Sequence, residues 1–134
     1  MKTLILMRHA KAGSADPGMG DHDRSLNKRG RSAAPVMAHW LAARGLRPGR
    51  VLCSPSRRTR ETAALMRNAL PWLPEPEFPA ALYHAGPGTL LEHLIPTCTD
   101  QNPLAHSRMA IEMIFHGRSM SLFQASQQSA TISS

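Results

Sequence analysis

Aromatic residues are scarce in this chain, at 4% of its 134 residues, with one Tyr, three Phe and two Trp. Tyr and Phe this sparse build no interleaved platform on which bases could stack, so the formal net charge of +7 is not read as a nucleic-acid footprint. Cysteine is nearly absent. Cys53 and Cys98 are too few for a disulfide scaffold, and Cys53 ends a short apolar run where a reduced thiol packs as a small apolar group, which fits a reducing compartment. Long apolar runs are missing too. The first, Thr3 to Met7, is too short for the core of a signal peptide, and no run approaches membrane-spanning length. The expected location is the cytoplasm, with no membrane partner. The histidines His22, His39, His84, His93, His106 and His116 show no close ligand spacing with carboxylates or cysteines, so no metal site is expected.

What is present begins with the opening Met1–Ala12, in which the apolar run Thr3-Leu4-Ile5-Leu6-Met7 ends abruptly in Arg8-His9. Its continuity suits a strand covered on both faces, as in a parallel sheet. Ligands of open α/β sheets sit just outside the carboxyl ends of the strands, so both charged side chains would meet a substrate there. Arginine offers a planar, permanently charged fork for phosphate oxygens, and imidazole is a nucleophile or acid/base near neutral pH. Taken alone the pair also fits a strand end solvated by two polar residues.

A second stretch, Val51 to Thr62, repeats this arrangement. Val51-Leu52-Cys53 reads as a strand, Ser54-Pro55 as a turn with Ser54 as helix N-cap, and Arg57, Arg58, Thr59 and Arg60 as the opening of a helix. A helix amino terminus favours an anion. Only one side of it can face the crevice, so most of the three arginines are expected to be solvated.

Between these stretches Ala33, Val36, Met37, Trp40, Leu41 and Arg44 recur at helical spacing, with Asn27 as a cap and Gly45, Leu46 and Pro48 as a stop. Pro35 should start a new turn or bend that helix. The Met and Trp residues are assigned to the core. Met66, Ala69 and Leu70 give the next helix its apolar stripe. Pro71 to Pro79 reads as an extended surface crossing, and Thr89 to Ile95 as a short helix whose leucines face the sheet, ended before Pro96. His84 and His93 read as rim or surface residues. Neither Glu61 nor Glu92 lies in an obvious acid position.

Taken together, Leu6-Met7-Arg8-His9-Ala10-Lys11-Ala12 and Ser54-Pro55-Ser56-Arg57-Arg58-Thr59-Arg60-Glu61-Thr62 resemble the histidine phosphatase superfamily, with its Arg-His-Gly/Ala signature and its Ser-Pro-x-x-Arg-x-x-x-Thr run. The segment Asp23 to Arg31 looks like the family's Asp-x-x-Arg-x-Leu-Thr-x-x-Gly stretch. Ala10 after the histidine, the small size and Leu82-Tyr83-His84-Ala85 are similar to the SixA-like phosphohistidine phosphatases. The resemblance covers residues 1–95. It implies a three-layer αβα fold with a mainly parallel sheet, incomplete at the C-terminus, in a domain spanning 1–118, while the Ser/Gln-rich composition of 119–134 reads as a poorly ordered tail. It further implies that His9 attacks phosphorus and carries the phosphoryl group, with Arg8, Arg58 and Ser54 at the phosphate and neither metal nor cofactor required. The expected substrate is phosphohistidine in a protein or, failing that, a small phosphate ester, handled by a monomer. Arg8, Arg24, Arg57, Arg58 and Arg60 would border the crevice, where a positive rim attracts acidic or phosphorylated ligands.

The second histidine expected of the family lacks its usual sequence context. His116, after Ile111-Glu112-Met113-Ile114-Phe115, matches by position only. Two readings compete: a divergent second catalytic histidine on a strand over Met109 to Phe115, or an aberrant segment beyond Ile95, giving a phosphate-binding remnant without turnover. The Ser/Gln-rich, uncharged ending and Glu112 amid apolar neighbours favour the second, with a helix or loop at the edge of the sheet.

Overall fold

The computed structural model describes residues 3–83, 85–86, 88–90, 92–93 and, as backbone, 111–116. Its strands are β1 (Thr3–Arg8), β2 (Arg50–Cys53) and β3 (Ile111–His116), and its helices are α1 (Lys28–Ala43) and α2 (Arg57–Ala69), with short 3-10 turns at Asp21–Asp23 and Ala80–Leu82. These three strands pair in parallel, in the order β1-β3-β2. The fold is α/β with a parallel sheet, as the two apolar runs suggest.

Side chains alternate along the strands to feed two cores. On one face Val51 and Cys53, with half-buried Ile5 and Met7, meet Ala34, Ala38 and Leu41 of α1 and Ala63 and Met66 of α2. On the other face Leu52, with Leu4 and Leu6, meets Leu82 and Leu90. A period of two with both faces covered is what a parallel sheet requires. Leu90 lies in the helical residues 88–90, so the expected helix contributes a leucine to the sheet; His84, Leu91, Leu94, Ile95, Cys98, His106 and the tail 119–134 lie outside the described residues.

Five expectations need correction. The segment before His116 is neither helix nor edge loop: β3 is the middle strand, with Ile111 paired to Thr3 and Arg8 to His116. Its β-branched and aromatic residues outweigh the single Glu112, which falls in register with the basic Arg50 of β2. Met109 and Ala110 lie outside the described residues.

The buried face of α1 is also different. Gly30, Ala34, Ala38 and Leu41 turn inward, while Val36, Met37 and Trp40 are 68%, 42% and 46% exposed. The small residues win because α1 is pressed close to its neighbours: a Cβ added at Gly30 would collide with the Lys11 carbonyl oxygen. Pro35 does not interrupt α1, which runs unbroken through it from an Asn27 cap accepting from Gly30 N at 2.8 Å. Gly45, at φ +68°, supplies the stop.

The N-cap of α2 is Ser56, not Ser54, and Pro55 precedes the helix. Finally, the Pro71 to Pro79 connector does more than cross the surface. Cys53 N donates to Glu77 O at 2.8 Å and Glu77 N to Val51 O at 2.9 Å, so the connector pairs along the edge of β2.

Candidate active site

The parallel sheet sets the carboxyl ends of its strands at one edge, and β1 delivers Arg8 and His9 there. Arg8 is exposed and His9 half-buried. His9 Nδ1 lies 2.6 Å from Ala10 O. A carbonyl oxygen only accepts, so Nδ1 carries a hydrogen, and in the neutral ring the lone pair lies on Nε2. On the neighbouring strand, His116 is in register with Arg8.

The chain leaving β1 is held by backbone. Ala12 bridges Leu26, Gly13 N donates to Ser25 O at 2.9 Å, and Asn27 N donates to Lys11 O at 3.0 Å. Glu61 of α2 secures the same stretch by accepting from Leu26 N at 2.7 Å, while its other oxygen takes Arg57 Nε at 2.9 Å. Both oxygens of Glu61 thus serve structure.

At the start of α2 the three arginines separate. Arg57 is exposed and pairs with Glu61; Arg60, also exposed, donates to Pro55 O at 2.8 Å and lies 4.4 Å over the Phe78 ring. Arg58 turns inward and is 4% exposed. A buried guanidinium requires a partner, and Asp21 provides it. Arg58 Nη1 donates to Asp21 O at 2.6 Å and Nη2 to Asp21 Oδ2 at 2.9 Å. Arg24 Nη1 reaches the other carboxylate oxygen at 3.2 Å and grips Gly13 O through Nη2 at 2.8 Å; the Tyr83 hydroxyl donates to Asp21 Oδ2 at 3.3 Å. The Arg58 hydrogen bond is the main reason why the Asp21 carboxyl is held down to about 2, with Arg24 and Tyr83 adding to it against the opposing effect of burial. Tyr83 is pushed above its usual range by burial and by Asp21. The ring of His22 meets Tyr83 edge-on at 4.8 Å.

Behind the site, Ser54 is 1% exposed and its carbonyl lies 2.6 Å from Thr59 Oγ1. The buried Cys53 thiol is pushed up to about 12 by desolvation, so it stays protonated and packs as an apolar group. Among the described residues, no cluster of three or more His, Cys, Asp or Glu could hold a metal ion. Nor is any of their helices long and apolar enough to cross a membrane.

A family model of the histidine phosphatase superfamily (branch 1) matches residues 4–86, which span both motif strands and α2. The chain belongs to this superfamily. The uncharacterized protein Rv1276c of Mycobacterium tuberculosis is 39% identical over 88 residues, covering 66% of this chain and 52% of that protein. The uncharacterized chloroplastic protein At3g52155 of Arabidopsis thaliana is 41% identical over 66 residues, 49% of this chain and 30% of that one. The chain spans about half the length of the first of these curated relatives, and less of the second. Among solved structures, a protein from Agrobacterium tumefaciens provisionally named phosphohistidine phosphatase SixA superposes with a TM-score of 0.73 at 30% identity, over 89% of this chain and 71% of that one. The protein histidine phosphatase SixA complexed with tungstate gives 0.69 at 23% identity, over 86% and 69%, a likeness of fold. SixA-type resemblance and histidine phosphatase fold therefore both hold.

Asp21 and a role for Thr62, the latter bonded to Ala10 N and Arg58 O, are absent from what the sequence singles out. Asp21 stands three residues before Arg24, the spacing of the superfamily's Asp-x-x-Arg stretch, which makes it a better match to that pattern than Asp23. The same pattern's glycine is Gly30, whose missing Cβ admits the Lys11 backbone.

Proposed function

We propose that this chain is a metal-independent phosphatase that acts on phosphohistidine in a protein through a covalent phosphohistidine on His9. The observation that carries this reading is the 2.6 Å contact from His9 Nδ1 to Ala10 O, because it leaves the ring's lone pair on Nε2 at the edge where a parallel sheet receives ligands. Nε2 forms a bond to phosphorus as the bond from phosphorus to the leaving nitrogen breaks, and that nitrogen takes a proton from solvent. Water then attacks phosphorus, the electron pair of the N–P bond returns to Nε2, inorganic phosphate leaves and the water's proton passes to solvent. Guanidinium groups of Arg8 and Arg58 meet the charge on the equatorial oxygens, Ser54 supports the turn before α2 from behind, and the register of β3 supports His116 as the second histidine. A departing imidazole is a better leaving group than an alkoxide, so the reaction does not depend on a strong general acid.

Resemblance to SixA and a net charge of +7, suited to an acidic phosphoprotein, favour phosphohistidine over a small phosphate ester. Quenching in alkaline detergent after reaction with a phosphohistidine-bearing protein should trap acid-labile, base-stable phosphate on His9 and lose it in His9→Ala. Undiminished label in that variant removes His9 from the role. Faster turnover of p-nitrophenyl phosphate selects the ester, and binding of tungstate without turnover of either selects a phosphate-binding protein.

A further inference from the structure

Thr62 takes no part in these steps, yet it touches both motifs. It is 2% exposed, one turn beyond Arg58 on α2. Its Oγ1 donates to Arg58 O at 2.7 Å and accepts from Ala10 N at 3.1 Å. The polarity is forced, because an amide N–H only donates and a carbonyl only accepts, so the one hydroxyl proton goes to Arg58 and a lone pair faces Ala10. Ala10 is also the residue whose carbonyl accepts from His9 Nδ1. Its amide is held by α2 and its carbonyl holds the imidazole.

We infer that Thr62 is a positioning residue that sets the tautomer and orientation of His9 through the backbone of Ala10, and ties the nucleophile to the turn of α2 that carries Arg58. Without the hydroxyl, Ala10 N loses its acceptor and the backbone around Ala10 is free to turn. The carbonyl then moves off Nδ1, and the ring populates the tautomer with its hydrogen on Nε2, which cannot attack. Small displacements of a reacting group of this kind cost on the order of ten- to a hundredfold in rate.

The inference rests on His9 as nucleophile, but its first readout needs no turnover. With ring-labelled histidine, nitrogen NMR should show His9 of the unaltered chain in the Nδ1–H form and Thr62→Val, close in shape but without the oxygen, shifted toward the Nε2–H form. Turnover on a phosphohistidine-bearing protein should fall in Thr62→Val by on the order of ten- to a hundredfold in kcat, with KM within about threefold. Thr62→Ser, which keeps the oxygen, should restore both the tautomer and kcat to within about threefold. An unchanged tautomer in Thr62→Val overturns the inference, as does a Thr62→Ser chain that folds but has lost the Nδ1–H form. If Thr62→Val does not fold, Thr62→Ser decides. Absence of label on His9 in the unaltered chain would remove the nucleophile reading alone, because the tautomer measurement still decides what Thr62 does.

Discussion

In α1 the residues turned into the molecule are Gly30, Ala34, Ala38 and Leu41, whereas in α2 they include Arg58, Thr59 and Thr62 beside Ala63 and Met66. The two helices pack on the same face of the sheet, so depth alone does not account for the contrast. In α1 the buried face is set by how close a neighbour lies: Lys11 leaves no room for a Cβ at Gly30, and alanines follow where α1 meets the rest of the core. In α2 the first two turns bury groups that must be hydrogen-bonded to be buried at all. Each is satisfied: Arg58 by Asp21, Thr59 by the Ser54 carbonyl, Thr62 by Ala10 and Arg58. Buried polarity concentrates beside the strand end that carries His9, the candidate site, whereas buried smallness lines the helix that only packs.

The largest effects should come from breaking the polar side of this contrast. Arg58→Ala should lower kcat/KM by on the order of a hundredfold or more, the loss expected for one charge contact to the transition state. A change below about threefold would mean that Arg57 or Arg60 serves the phosphate. On the scaffold side, Ala38→Leu adds volume where exposure is 0% and should cost about 1–3 kcal/mol in urea unfolding, with turnover per folded molecule retained. A neutral result would show that α1 is not closely packed.

The place of the candidate site in the fold was legible because its residues stand where apolar runs stop: Arg8 and His9 close β1, and Arg58 follows the end of β2 by a short turn. The face of α1 was not legible. Apolar periodicity rewards size, so it selects Val36, Met37 and Trp40, whereas close packing selects Gly30, Ala34 and Ala38. Asp21 was within reach of the Asp-x-x-Arg spacing that ends at Arg24, but its ion pair with Arg58 joins residues 37 apart in sequence and leaves no local trace. The place of β3 depends on pairing with two distant strands, and a single glutamate was enough to obscure it.

A smaller effect should separate Asp21 from the rest of the polar cluster. Its carboxyl titrates at about 2 in the fold against an ordinary value of 3.8, chiefly because of the Arg58 hydrogen bond. A depressed carboxyl stabilises the fold fully above its unfolded value, and that contribution disappears as pH falls through the folded value. Melting temperature of the unaltered chain should therefore exceed that of Asp21→Asn by a constant margin from pH 7 to about pH 5, and the margin should shrink between about pH 4 and pH 2. Half of the carboxylate's side chain surface remains open to solvent or nearly so, at 43% exposure, so screening keeps the margin small. A margin that persists at pH 2 would show that the asparagine disturbs geometry and not charge.

The smallest effects belong to the outer face of α1. Val36 and Met37 stand largely in solvent, so Val36→Ser and Met37→Ser should each change stability by no more than about 0.5 kcal/mol. Trp40 differs from them in one respect, because the Arg44 guanidinium lies 3.6 Å above its ring. A cation over an exposed aromatic face contributes about 0.5–1 kcal/mol, so Trp40→Ser should cost up to that amount and no more. By contrast Met66→Ala, at a position with 0% exposure on α2, should cost about 2–5 kcal/mol by leaving a cavity. Urea unfolding of these four variants places them on one scale. If Trp40→Ser approaches Met66→Ala, the outer face of α1 is covered in the folded protein and the contrast between the two helices is one of partners rather than of packing.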